Sequence, residues 1–238
     1  MKDQTVVVIG GSAGIGLETA RLTASEGAAV LLVGRDSGRL ERAAAEVHAS
    51  ATAAFDAHDA ERLEAYFAEL PGPVDHVLVT AGRPYYGLLA DMDIAEAAHH
   101  LSDHVALVLR VARAAVGRVR PGGTLIFIGG TGARRPSPGL AVTAAMTAAL
   151  PALVANLSLE IAPIRINLIA AGFVDTPLSA ALLGDGLEQR REQLRATLPI
   201  GRVVGPADVA ALALHLMSNT ALTGAVYDID GGQQFLPG

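Results

Sequence analysis

The chain has 238 residues, 51% of them hydrophobic, and a formal net charge of −6. That length suits one α/β domain with a full core, the composition excludes disorder, and the acidic balance excludes a nucleic-acid surface, which needs clustered cations. No cysteine is present, which rules out disulfides, thiolate zinc sites and a cysteine nucleophile.

The N-terminal residues MKDQTVVVIGG pass straight into an apolar run without a signal-peptide layout, so a cytoplasmic protein is expected. Apolar runs recur at 6–9, 29–33, 76–79, 124–128, 165–169 and 225–229. None alternates with polar residues, as expected of parallel strands covered on both faces. Helical stretches lie between them at 15–26 (closed by Gly27), 40–48, 60–70, 94–119, 140–161 and 206–217. This alternation, with no linker or composition break, predicts a single-domain doubly wound Rossmann fold over 1–238. Its sheet is expected to be mostly parallel and seven-stranded, with helices on both faces.

After the first strand, VIGGSAGIG sets Gly10, Gly14 and Gly16 at the turn into the first helix. Glycine there lets the backbone approach a pyrophosphate resting on the positive end of that helix. The second strand runs into VLLVGRDSGRL, with Gly34 and then Arg35 where an NAD-binding unit places an acidic side chain for the ribose hydroxyl. A guanidinium binds a 2′-phosphate with two hydrogen bonds, so NADP(H) is favoured over NAD(H). Arg35 capping a helix or facing water is the plainer alternative.

The run 136–159 has no charge and is long enough to test as a membrane span. Thr143, Thr147, Asn156, Ser158 and Pro151 argue against that, and a helix buried between neighbours is expected instead. His99, His100 and His104 invite a metal reading, but no third ligand stands at a convincing spacing and no metal is expected.

Together these motifs resemble the short-chain dehydrogenase/reductase family along nearly the whole chain. GGSAGIG resembles its nucleotide turn, VTAG its Asn-Asn-Ala-Gly turn with both asparagines replaced, and INLIAAGFVDTPL the segment wrapping the nicotinamide. The end of the chain, GRVVGPADVAALALHLMSNTALTGAVYDIDGG, follows the family's C-terminal pattern. The resemblance implies cofactor contacts from Gly10, Ser12, Ala13, Gly14, Ile15, Gly16 and Arg35. It implies further contacts from Asp56, Ala57, Ala81, Gly82, Gly172, Val174 and Thr176.

The same resemblance exposes a gap. The family's catalytic Tyr-x-x-x-Lys falls on Thr143 and Thr147, its serine on Gly130 and its asparagine on His104. An aliphatic hydroxyl cannot be tuned to the phenol's role, and losing general acid catalysis costs about 10²–10⁴-fold. His104, Tyr85 and Tyr86 are the candidate substitutes, each with a plain packing role as its alternative. Arg134 and Arg135 are candidate anion binders or solvated charges.

The expected function is therefore an atypical NADP(H)-dependent oxidoreductase acting on a small carbonyl, imine or alkene substrate. The alternative is a catalytically silent NADP(H)-binding sensor or partner subunit. The resemblance also implies a substrate lid at about 173–199 and a homodimer or homotetramer packed through the two long helices. No nucleic-acid or membrane partner is expected.

Overall fold

The computed structural model describes residues 1–236. Seven strands form one parallel sheet: β1 (Thr5–Ile9), β2 (Ala29–Gly34), β3 (Ala51–Ala54), β4 (Val74–Val79), β5 (Val119–Gly130), β6 (Arg165–Ala171) and β7 (Val226–Ile229). Their order is β3-β2-β1-β4-β5-β6-β7. The sequence reverses direction between β1 and β4, so the crevice opens beyond the carboxyl ends of those two strands.

Alternate residues of each strand feed two cores. Val7 and Ile9 join Val77 and Phe127 beneath α3 (Ala60–Glu69), α4 (Ile94–Ala115) and α5 (Ala141–Glu160). Val6 and Val8 join Leu32 and Ile126 beneath α1 (Gly14–Ser25), α2 (Ser37–Val47) and a later helix over Pro206–Ser218. A period of two with both faces apolar is what a doubly covered sheet requires. Removing one of its larger pieces, such as the buried Phe67, costs about 3–5 kcal/mol.

Several boundaries differ from the sequence reading. β3, Ala51–Ala54, is largely exposed alanine and threonine at the sheet edge, so no apolar run marks it. α2 starts at Ser37 because the Asp36 carboxylate accepts from the Arg39 N–H at 2.8 Å and caps it. α4 ends at Ala115, short of 119: Val116 is extended, Gly117 turns with φ 76°, and Val119 already pairs with Val74. The expected lid segment is itself helical, with α6 (Pro177–Leu183) and α7 (Leu187–Thr197) around a short turn at Gly184–Gly186. The helix at Pro206–Ser218 is then α8.

α5 is not buried on all sides as expected. Only the stripe Met146, Leu150, Val154 and Leu157 enters the core, because alanine populates its other faces. It is the one described helix long and apolar enough to cross a membrane. Its stripe packs instead into the core above β5 and β6.

A single cation fixes one end of the sheet. Buried Arg165 donates to the carbonyls of Gly122, Leu216, Met217, Asn219 and Leu222 at 2.8–3.1 Å. It thereby closes the carboxyl end of α8, where a positive charge also opposes the helix dipole.

Candidate functional site

The turn after β1 is shaped by absent side chains. Gly10 leaves the strand at φ 92°, and a Cβ there would lie 2.3 Å from Thr80 Oγ1. A Cβ on Gly16 would lie 2.3 Å from the Gly10 carbonyl oxygen. Both positions therefore require glycine for α1 to seat over the β1–β4 seam. The Thr80 hydroxyl closes that seam, 3.2 Å from the carbonyls of both Ile9 and Gly10.

α1 opens at Gly14 with Ala13 as its N-cap, which has no side-chain acceptor, and no acidic residue lies in its first turn. The first N–H groups of the helix thus remain available to an external anion. Beside this terminus lies a cleft of about 830 Å³.

The cleft gathers most of the residues singled out in the sequence. Gly10, Ala13, Gly14 and Ile15 line one end, Ala81 and Gly82 the floor, and Gly172, Val174 and Thr176 the side below α6. Gly130, Thr143, Thr147, His104 and Tyr86 line it too. Ser12, Gly16, Arg35, Asp56 and Ala57 do not. Arg35 and Asp56 sit beyond the ends of β2 and β3, exposed and 3.6 Å apart. Ser12 Oγ is 3.3 Å from where a Cβ on Gly34 would be, so a side chain at 34 would crowd the space between Ser12 and Arg35.

The hydroxyls beside Gly130 are already engaged. Thr143 Oγ1 donates to the Tyr85 carbonyl at 2.6 Å and accepts from the Tyr85 N–H at 3.1 Å, holding the loop after β4 against α5. Thr147 Oγ1 donates back to its own helix, to the carbonyls of Thr143 and Ala144. A Cβ on Gly130 would come within 3.3 Å of the Thr147 methyl.

Tyr85 is not in the lining. Its ring packs 5.1 Å from that of His100, and its hydroxyl reaches the Asp93 carbonyl at 3.5 Å. Desolvation raises the phenol pKa of Tyr85 and of Tyr86, for Tyr85 with help from the carboxylates of Glu96 and Asp93. Both phenols stay protonated at neutral pH.

The Nδ1 edge of His104 lies against Gly82, while Nε2 is buried without a partner among the described residues. Burial, then the nearby His58, pushes the His104 pKa below the ordinary imidazole value. Its ring is therefore neutral at pH 7 and offers an N–H rather than an imidazolium.

Arg134, read from the sequence as an anion binder or a solvated charge, pairs instead with Asp228 and Gln234. Sequence reasoning missed Thr80 as the seam's latch, although a small polar residue facing a glycine turn was a usable signal. It also missed Arg190, which lines the cleft from α7. No group of three metal-binding side chains occurs among the described residues.

A family profile described as Enoyl-(Acyl carrier protein) reductase matches residues 10–234. The chain is 29% identical to Short-chain dehydrogenase/reductase ATR9 of Stachybotrys chlorohalonatus, covering 98% of this chain and 97% of that protein. A solved structure of a short chain dehydrogenase/reductase family protein is 32% identical, covers 99% of both chains and superposes with a TM-score of 0.87. A small-chain dehydrogenase solved in complex with NADPH is 27% identical, covers 99% of this chain and 100% of that one, and has a TM-score of 0.84.

Proposed function

The chain belongs to the short-chain dehydrogenase/reductase family of oxidoreductases, and on that premise we propose that it is an atypical NADP(H)-dependent member. The observation that carries this reading is the side-chain-free turn at Gly10 and Gly16, which sets the uncapped start of α1 beside a cleft of dinucleotide size. The residues present fit the cofactor. Gly14 and Ile15 offer backbone donors to a pyrophosphate, and Gly172, Val174 and Thr176 wall the far end. Gly34 leaves space beside Arg35 for a 2′-phosphate, and a relative crystallised with NADPH supports that preference.

When bound, the nicotinamide supplies or accepts a hydride. The chain's own contribution is to orient the substrate and keep water out. The family's tyrosine, lysine and serine positions carry Thr143, Thr147 and Gly130, and both threonine hydroxyls are committed to backbone carbonyls. Of the candidate substitute proton donors, the His104 ring and the Tyr86 phenol line the cleft. Such a site favours a substrate that needs no strong acid. Hydride addition to an iminium carbon meets that condition, since it forms the C–H bond and neutralises the nitrogen in one step.

The commitment of Thr143 to Tyr85 also favours a second reading, a catalytically silent NADP(H)-binding sensor or partner subunit. Stoichiometric protein mixed with NADPH and a panel of ketones, imines, quinones and activated alkenes separates the two. Loss of absorbance at 340 nm with an imine or iminium establishes the enzyme. NADPH left intact across the panel while bound establishes the silent binder.

A further inference from the structure

The turn after β7 is built to place one side chain in the cleft. Asp230 is buried directly after the strand, and its carboxylate accepts from the Gly232 N–H at 2.8 Å and the Gln234 N–H at 2.9 Å. Between those two anchored positions stands Gln233, which lines the cleft beside Gly172 and Phe173. It fills the room that Gly172 leaves, since a Cβ there would lie 2.6 Å from Gln233 Oε1.

The two ends of the Gln233 amide are in different states. Oε1 accepts from the Phe173 N–H at 2.8 Å. Only the oxygen of an amide can accept that bond, so the orientation is fixed and Nε2 stands at the free end. Nε2 makes no hydrogen bond among the described residues and is not enclosed by them. Gly172 follows Ala171, which pairs with Gly130 across β5 and β6. Gln233 thus reaches the end of the cleft where Gly130 brings no side chain. Leu178, Leu182 and Leu183 of α6 line the same cleft and are each about two-fifths exposed.

We propose that Gln233 is a positioning and specificity-determining residue, whose Nε2 donates to a neutral carbonyl oxygen of an apolar substrate while the α6 leucines cover the apolar body. The oxygen belongs either to the reacting group or to one beside it. This rests on the reading that the cleft holds the substrate end of a dinucleotide-binding site. A donor left open beside an apolar wall is satisfied by a ligand that brings an acceptor, and its pairing gives direction to an otherwise non-directional contact. The donor is uncharged and the Asp230 carboxylate anchors the same turn, so a neutral oxygen suits this position better than an anion.

The test is calorimetric titration of 4-phenyl-2-butanone and of butylbenzene, which has the same shape without the oxygen. Protein saturated with NADP⁺ is used, so that no hydride is available. The readout is the ratio of the two affinities in the parent, in Gln233→Glu and in Gln233→Met. Glutamate keeps an acceptor for the Phe173 N–H and removes the donor, whereas methionine removes both. The ratio should shift against the ketone by about fivefold in both variants. A ratio that Gln233→Glu preserves overturns the proposal, because the side chain then acts only through Phe173. So does a ratio unchanged in both variants while NADP⁺ affinity falls, which assigns the amide to the cofactor. A parent protein that binds neither probe overturns it as well. Failure to bind NADP⁺ is a separate result that bears on the oxidoreductase reading, and the same pair titrated into cofactor-free protein still decides the role of Gln233.

Discussion

Thr143 shows how one side chain changes what a site can do. Its hydroxyl satisfies both the N–H and the carbonyl of Tyr85, so Thr143→Val should cost about 1–3 kcal/mol and loosen the loop after β4. Thermal denaturation reads the cost, and amide exchange at 80–90 reads the loosening. Installing a serine at 130 and a lysine at 147 is a coupled problem. A serine at 130 would press on the Thr147 methyl, whereas a lysine at 147 has no branch there. Gly130→Ser should therefore destabilise the parent protein by about 1 kcal/mol more than it destabilises Thr147→Lys, as measured in a double-mutant cycle. His76 offers a pH signature at the same scale. Its ring is buried with neither nitrogen bonded among the described residues, and burial pushes its pKa down to about 4. The unfolded chain takes up this proton near pH 6.5 and the folded one only near 4, so stability falls as pH drops through that window. His76→Leu should flatten the decline, read as melting temperature against pH; an unchanged slope would place the acid sensitivity elsewhere.

Elements were legible in the sequence where their burial is complete. Strands β1, β4 and β6 are covered on both faces and carry the apolar stretches Val6–Ile9, Val77–Val79 and Leu168–Ala171, which mark them in the composition even though Arg165 and Asn167 interrupt β6. β3 escaped because an exposed edge strand needs no apolar signal, and the start of β5 because its Pro-Gly-Gly resembles a turn. The glycine turn was readable because Gly10 and Gly16 leave no room for a Cβ. That Arg190 lines the cleft was not readable, since Arg190 and Arg191 are adjacent and chemically alike, and only tertiary placement gives Asp175 to one of them. Arg165 is equally silent in sequence. Five carbonyls from two segments converge on it, so Arg165→Leu should destabilise the fold by at least about 3 kcal/mol. Urea denaturation measures that; a change under 1 kcal/mol would mean water replaces the guanidinium at the end of α8.

At the scale of the whole molecule, two outward faces remain to be covered. Ile94, Leu101, Leu109 and Val116 recur every seven or eight residues along and just past α4, and all are exposed. Ala141, Ala145, Ala148, Ala152 and Ala155 recur every three or four along α5 and form a ridge of small, exposed side chains that ends at exposed Leu159. A small-residue ridge admits close helix approach, and a stable pairing buries about 1,200–2,000 Å². We expect a homodimer or a tetramer built from it, and Ala152→Arg should yield monomers in sedimentation equilibrium. An unchanged assembly would place the interface elsewhere. NADP(H) binding underlies the proposed function, and titration of NADPH and NADH by nicotinamide fluorescence, on the parent protein and on Arg35→Gln, is its most direct test. The expected result is saturable NADPH binding, NADH at least about tenfold weaker, and loss of that difference in Arg35→Gln, because the guanidinium pairs with the 2′-phosphate. Binding of neither nucleotide by the parent protein would contradict it.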